Sequence, residues 1–453
     1  MLLFAHGIVG RADLPIPETL FGAAAAAVLV VSFVALALGW SRPRLKSLPE
    51  KDLFVFPLAI EVLLGALGVI VFLFTVYAGI AGTSGQTDNL APTMVYVAFW
   101  VGVPFASLLF GNVFGVISPW RALGRATGWV GERFTEGQMP APLTYPERVG
   151  RLPAAAGLFG FAICELCWAK ATEPGPLAII MLLYFIAMLV GMSLYGVDAW
   201  TRNADAFGVL FGLIGSLSPL GRRAETGRLY LRVPFTGAAK LTPVSGTMAV
   251  LIVSIGSTAF DGAKEGALFN NLAQDLQSFF TDLGLSLGLG LELGFVVGLA
   301  GAVLIVAIIW AIGMAGMTPP PSAPSRRILA RAFAHTLIPI AAGYLFAHYF
   351  SLLAYNGQDL WRLANDPLGN GADYFGGANA TIDYGVVSAT GIWYVQVGAL
   401  VIGHVAALVL AHDRALELYG SAKEATRSQL VMLALMVAFT CLGLWLLSAA
   451  LHA

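Results

Sequence analysis

The sequence predicts an all-α fold: a polytopic transmembrane helix bundle of about ten spans, with both termini extracytoplasmic. Three observations carry that prediction. Of 453 residues, 58% are hydrophobic and only 11% are charged, against roughly 25% charged in an average soluble domain. A soluble chain of this size would lack the polar residues to cover such an interior. The apolar residues also fall in long uniform runs, near the roughly 20 residues a helix needs to cross a hydrocarbon core. Barrel strands would instead alternate over about ten residues. Finally, the basic residues sort to one side of those runs.

The runs lie at 17–40, 54–83, 93–117, 152–170, 176–199, 243–260, 293–316, 332–355, 389–411 and 429–451. With the N-terminus outside, the inward-facing connections hold 21 of the 25 Lys and Arg residues. Only Arg11, Lys170, Lys264 and Arg362 fall on the outer side. A miscounted span would invert the sorting from that point onward. The opening residues, Met1 to Gly7, lack the basic and apolar regions of a cleavable signal peptide. The first apolar run is therefore expected to stay in the mature protein.

The whole chain, 1–453, reads as one integral membrane domain. Segment 206–220 is apolar but too short to cross, and basic residues flank it. It is expected at the cytoplasmic interface or as a re-entrant segment. Two extracytoplasmic loops remain, 261–292 and 356–388. The first contains an amphipathic stretch, Leu268 to Phe280, expected to form a surface helix. The second is rich in Gly, Asn, Asp and Tyr, as an ordered loop or lid would be. An internal echo relates Phe110–Arg125 to Phe207–Arg222, each built on Phe-Gly-x-x-Phe-Gly and a later Ser-Pro. Two alternatives stand: similar helix-end caps, or a trace of the internal duplication common in transporters.

A net charge of −1 removes the basic stripe that a nucleic-acid partner would need. Three cysteines make no disulfide framework, and no phosphate loop, nucleophile elbow or dinucleotide fingerprint is present. Ionisable groups inside spans are costly and are functional candidates by default. Glu61 and Asp198 read equally as structural partners of Arg or of helix ends. Glu165, deep in its run, is either a hydrogen-bonded core carboxyl or a catalytic or proton-carrying one. Cys164 and Cys167 share a helix face, which packing explains better than redox or zinc chemistry.

The histidines fall into two groups by depth. His335 and His404 are at similar depth near the cytoplasmic side, with His412 further toward it. His348 is near the outer surface, level with Asp261, Gln358-Asp359 and the termini that bring His6, Asp13 and His452. Imidazoles and carboxylates so gathered suit a divalent transition metal, and metal-bound water would supply a hydroxide nucleophile. On this reading His6, Asp13 and His348 are candidate metal ligands, and Asp261 and Glu165 are candidate catalytic carboxylates. The alternative is a set of unrelated interfacial histidines, each hydrogen-bonded locally.

The stretches Ala5–Pro15, Tyr145–Ala154, Ala347–Leu353, Gly403-His404 and Ala411–Arg414 resemble the bacterial membrane proteins called fenitrothion hydrolase. Ser118-Pro-Trp120 and Phe260-Asp-Gly262 extend the resemblance along most of the chain. The resemblance implies a membrane-bound enzyme of the bacterial inner membrane that hydrolyses lipophilic organophosphate triesters. It assigns no catalytic residues, but His6, Asp13, Asp261 and His348 lie inside the resembling stretches. Three readings follow: a membrane hydrolase, a transporter or channel, and a non-catalytic subunit of a membrane complex. Membrane lipids are the expected partners in each, with homo-oligomer or complex partners left open.

Overall fold

The computed structural model describes residues 18–136 and 140–449. It is mostly helical, at 71% helix and 3% strand, so helix packing sets the architecture. Helix α1 spans Glu18–Gly39 and is followed by a short strand, β1 (Lys51–Val55). Next come α2 (Leu58–Ala81), α3 (Leu90–Phe110), α4 (Pro119–Phe134), α5 (Leu152–Leu166), α6 (Pro174–Tyr195) and α7 (Ala206–Gly215). Strands β2 (Leu220–Arg222) and β3 (Arg228–Leu231) precede α8 (Thr247–Ala263), α9 (Ala267–Asp282) and α10 (Leu287–Ala315). The chain closes with α11 (Leu337–Asn365), α12 (Ala389–Leu418) and α13 (Leu430–Ala449).

Seven of the described helices are long and apolar enough to cross a membrane, and eight if the bent pair Ala422–Ser428 and Leu430–Leu444 counts as one span. Helices α5 and α8, with 15 and 17 residues, fall short of that length. The long helices are exposed where a soluble protein would be polar. Helix α2 turns Val62, Leu63, Leu67 and Ile70 outward, and α10 does the same with Leu304, Ile305 and Ile308. Lipid tails are the solvent in which such a surface is stable.

The core forms around α11, the most enclosed of the long helices, with 78% of its apolar stretch buried. Helix α12 lies against it at closest approach through glycine. A Cβ at Gly403 would meet the Pro339 carbonyl at 2.6 Å and the Gly343 Cα at 3.3 Å. Small residues at a crossing let two backbones meet, which is how membrane helices gain packing energy without a hydrophobic drive. Polar caps fix several starts: Ser286 accepts from Leu289 N–H, Ser388 from Gly391 N–H, and Ser118 from Arg121 N–H.

Segment 206–220 folds as a short, almost fully buried helix, α7, followed by a turn into β2. Asp205 precedes it and is itself buried, accepting hydrogen bonds from Trp120 Nε1 (2.7 Å) and Tyr184 Oη (2.9 Å). The two echoed segments face each other. Phe114 packs edge-on against Phe211 at 5.6 Å, and Gly215 lies against Gly111 and Asn112 so closely that a Cβ there would sit 2.9 Å from their backbone. After Ser118-Pro119 the chain continues as helix, whereas after Ser218-Pro219 it enters a strand.

The three-stranded antiparallel sheet, ordered β1-β3-β2, is the departure from an all-helical expectation. Lys51 pairs with Leu231 and Leu220 also pairs with Leu231, on its other edge. Residues 54–55, expected to begin a span, belong to this sheet. Helix α11 likewise runs ten residues past the expected end of its span, so the following loop begins at 366. The amphipathic stretch beyond α8 is helical, as α9, and packs along α10.

Candidate functional site

The last turn of α8 and the middle of α11 bring together the most polar buried cluster near one end of the bundle. Asp261 is 1% exposed and Tyr349 is equally buried. Asp261 Oδ2 accepts from Tyr349 Oη at 2.9 Å and lies 2.8 Å from His348 Nε2. Its other oxygen, Oδ1, is 2.8 Å from Lys264 Nζ. Asp261 and Lys264 are three apart on one helix turn, so they share a face. His348 and Tyr349 are adjacent on α11 and both rings reach the same carboxylate, packing edge-on at 4.7 Å.

Chemistry follows from these contacts. A carboxylate that faces a cation and two further donors can accept from all three. The carboxylate selects the imidazole tautomer that carries hydrogen on Nε2, which makes Nδ1 the basic nitrogen. Gly262 lies beside that edge of the ring: a Cβ there would be 3.8 Å from Nδ1 and from Cε1. Glu165, on α5, is partly buried and close enough to Asp261 and Lys264 to interact with both electrostatically.

The two carboxylates proposed from sequence as catalytic, Asp261 and Glu165, are therefore brought into one neighbourhood. Of the proposed metal ligands, His348 joins them, while His6 and Asp13 lie outside the described residues, as does His452. Among the described residues no group of three or more His, Cys, Asp or Glu is placed to hold a metal ion. His348 Nε2 and Asp261 Oδ2 face each other at bonding distance rather than converging on a common point. The described residues thus do not by themselves make a metal site. Gln358 and Asp359, grouped with the outer set by depth, are elsewhere. Asp359 is 11 residues beyond His348, about 16 Å along the helix, and pairs with Arg362 at 2.7 Å.

Two residues of the cluster, Lys264 and Tyr349, were not singled out from sequence. Lys264 carried a signal nonetheless, being one of the few basic residues on the outer side, three positions after Asp261. The other intramembrane acids are structural. Glu61 receives Arg125 (2.6 Å) and Arg222 (2.7 Å), with Arg121 at 3.7 Å, and Asp198 lies 3.5 Å from Arg121. That ion cluster ties α2, α4 and the sheet together. Cys164, in α5, and Cys167, just past its end, are free thiols.

The inner histidines separate by partner. His412 Nε2 bonds the Trp40 carbonyl at 3.0 Å, and Gln429 Nε2 approaches His412 Nδ1 at 3.3 Å. His404 is fully buried and directs Nδ1 to the Leu400 carbonyl at 2.8 Å. Comparison with family models, curated proteins and solved structures finds no match to this chain.

Proposed function

We propose that the chain is a ten-span protein of the bacterial inner membrane that hydrolyses lipophilic phosphotriesters at its outer face. The observation that carries this reading is the Asp261–His348 contact, in which a buried carboxylate orients an imidazole. The ten spans comprise the long helices, the bent pair, and the shorter α5 and α8. The segregation of basic residues puts the loop after α8 outside. Asp261 is then about 21 Å along α8 from Thr247, in the outer half of the bilayer, where a triester dissolved in lipid would be concentrated.

In this reading His348 is the general base. Water gives its proton to Nδ1 as its oxygen forms a bond to phosphorus. The P–O bond to the best leaving group breaks, and the departing aryloxide takes up a proton to leave a phosphodiester and a phenol. Asp261 is a positioning residue that fixes the ring and stabilises its charged form, as in other acid–imidazole pairs. Lys264 and Tyr349 hold the carboxylate in place. These steps use no metal.

The test uses the purified full chain in lipid nanodiscs with a dialkyl 4-nitrophenyl phosphate. Hydrolysis above that of empty nanodiscs, lost in His348→Ala and unchanged by chelator, supports the reading. Absence of hydrolysis overturns it, and loss on chelation with recovery on added metal overturns the metal-free route. A second reading, ion-coupled transport, is favoured by one observation: the Glu165 carboxyl lies near the Asp261–Lys264 ion pair between helices, as in proton relays. It predicts substrate uptake into proteoliposomes that Glu165→Gln abolishes, with no bond cleavage.

A further inference from the structure

A second site lies between α8, α10, α11, α12 and α13, away from Asp261. It is a cavity of about 70 Å3 whose walls include Ile255, Leu408, Met317, Met432 and Met436. Thr336, whose hydroxyl donates to the Phe333 carbonyl at 2.8 Å, also lines it, as do three further polar groups: Trp310, His404 and Gln429, exposed by 7%, 0% and 3%. In each, one buried side-chain atom has no hydrogen-bond partner: Trp310 Nε1, His404 Nε2 and Gln429 Oε1. Buried polar atoms are paired in nearly all native structures, so three around one cavity require an explanation.

Their chemistry can be read from the bonds already made. The Leu400 carbonyl only accepts, so His404 carries its hydrogen on Nδ1 and presents Nε2 as a bare acceptor. The Trp40 carbonyl likewise fixes the hydrogen of His412 on Nε2, so His412 Nδ1 accepts from Gln429. Gln429 spends its amide hydrogens on His412 and on the Ala425 carbonyl at 2.8 Å, which leaves Oε1 as a second acceptor. Trp310 supplies one donor. Its unpaired atoms are therefore two acceptors and one donor, within a largely apolar wall that holds no carboxylate, lysine or arginine.

We propose that this cavity binds a small lipophilic molecule bearing a hydroxyl group, an alcohol or a phenol, with the hydroxyl donating to His404 Nε2. A ketone or ester would bring no donor to that nitrogen, and a cation would find no counter-charge. Ordered water needs two to four polar partners at one point. His404 and His412, to which Gln429 is bonded, are eight residues apart on α12, about 12 Å along the axis. The volume is below the roughly 150 Å3 of an apolar cavity that accepts benzene. The occupant is accommodated by the three methionines, whose unbranched side chains re-pack readily.

The experiment compares 4-fluorophenol with fluorobenzene by 19F NMR, using the full chain in nanodiscs and empty nanodiscs as the partition control. The expected result is saturable binding of 4-fluorophenol, about tenfold tighter than fluorobenzene, as one satisfied buried acceptor provides. His404→Leu removes that preference and His404→Gln, which keeps an acceptor, retains part of it. Gln429→Leu, which does not touch His404, leaves most of the preference intact and guards against misfolding of the first variant. Equal affinity for the two probes in the wild type, no saturable binding, or a preference that survives His404→Leu would each overturn the proposal.

Discussion

Removing the Asp261 carboxylate tests the cluster as a unit. Among the described residues it has three contacts, to Lys264 and His348 at 2.8 Å and to Tyr349 at 2.9 Å. Counted as separate hydrogen bonds at about 1 kcal/mol each, their loss would cost about 3 kcal/mol. The larger effect is the charge left behind. Lys264 is 16% exposed in its side chain, and stranding one member of a buried pair costs about 3–5 kcal/mol. Asp261→Ala is therefore expected to destabilise the protein by about 3–5 kcal/mol, and Asp261→Asn, which keeps the shape and one acceptor, by about half of that. Adding Lys264→Met to Asp261→Ala removes the stranded ammonium, so the double variant should be more stable than the sum of the two singles. The assay is equilibrium unfolding in mixed micelles, run as a double-mutant cycle. A loss below about 1 kcal/mol for Asp261→Ala, or strict additivity in the cycle, would refute the account of a charge held by its partners.

Three further outcomes follow from other parts of the structure. Asp413 accepts from Arg44 N–H at 2.6 Å, Leu45 N–H at 3.3 Å and Trp40 Nε1 at 3.2 Å. Asp413→Ala should therefore loosen the turn after α1 and speed tryptic cleavage there about tenfold; an unchanged cleavage rate contradicts this. At Gly403 a Cβ would press on the Pro339 carbonyl, and backbone cannot move aside cheaply. Gly403→Ala should lower stability by about 1–3 kcal/mol, and a neutral result in thermal unfolding would show that the two helices can separate there. Burial pushes the Glu50 carboxyl up, but Lys240 at 2.6 Å and Arg223 at 3.0 Å outweigh it and hold the group below its ordinary value of 4.5. A depressed carboxyl contributes stability above its unfolded value that is lost as pH falls through the folded one. Glu50→Gln should thus flatten the stability profile below about pH 4.5, and an identical acid limb in both proteins would contradict it.

The helices were legible because a bilayer demands long apolar runs, and each of the ten runs corresponds to a helix among the described residues. Their ends were less so. Lys51–Val55 adjoins the apolar run of α2, and its last two residues were absorbed into that run, since strand and helix segments of similar hydropathy differ only in period. Its pairing with Arg228–Leu231 is a contact between residues 173 or more apart, which no local pattern announces. The depth argument placed Asp261 beside His348 because one-turn resolution suffices for that. It failed for Asp359, since it treated the end of the apolar run as the end of the helix. Lys264 and Arg362 looked like exceptions to charge sorting, and each pairs with an acid three residues earlier on its own helix. Outward basic residues so neutralised do not weigh against the topology.

The central claim, that the imidazole held by Asp261 activates water, is tested most directly by the rate of one variant. His348→Asn keeps a polar group against Asp261 but removes the base. Its folding is checked first by unfolding in micelles. With a dialkyl 4-nitrophenyl phosphate in nanodiscs, a folded His348→Asn protein is predicted to lose about 10²–10⁴ in kcat/KM, the usual contribution of a positioned base. A folded variant that hydrolyses the triester at the wild-type rate would contradict it.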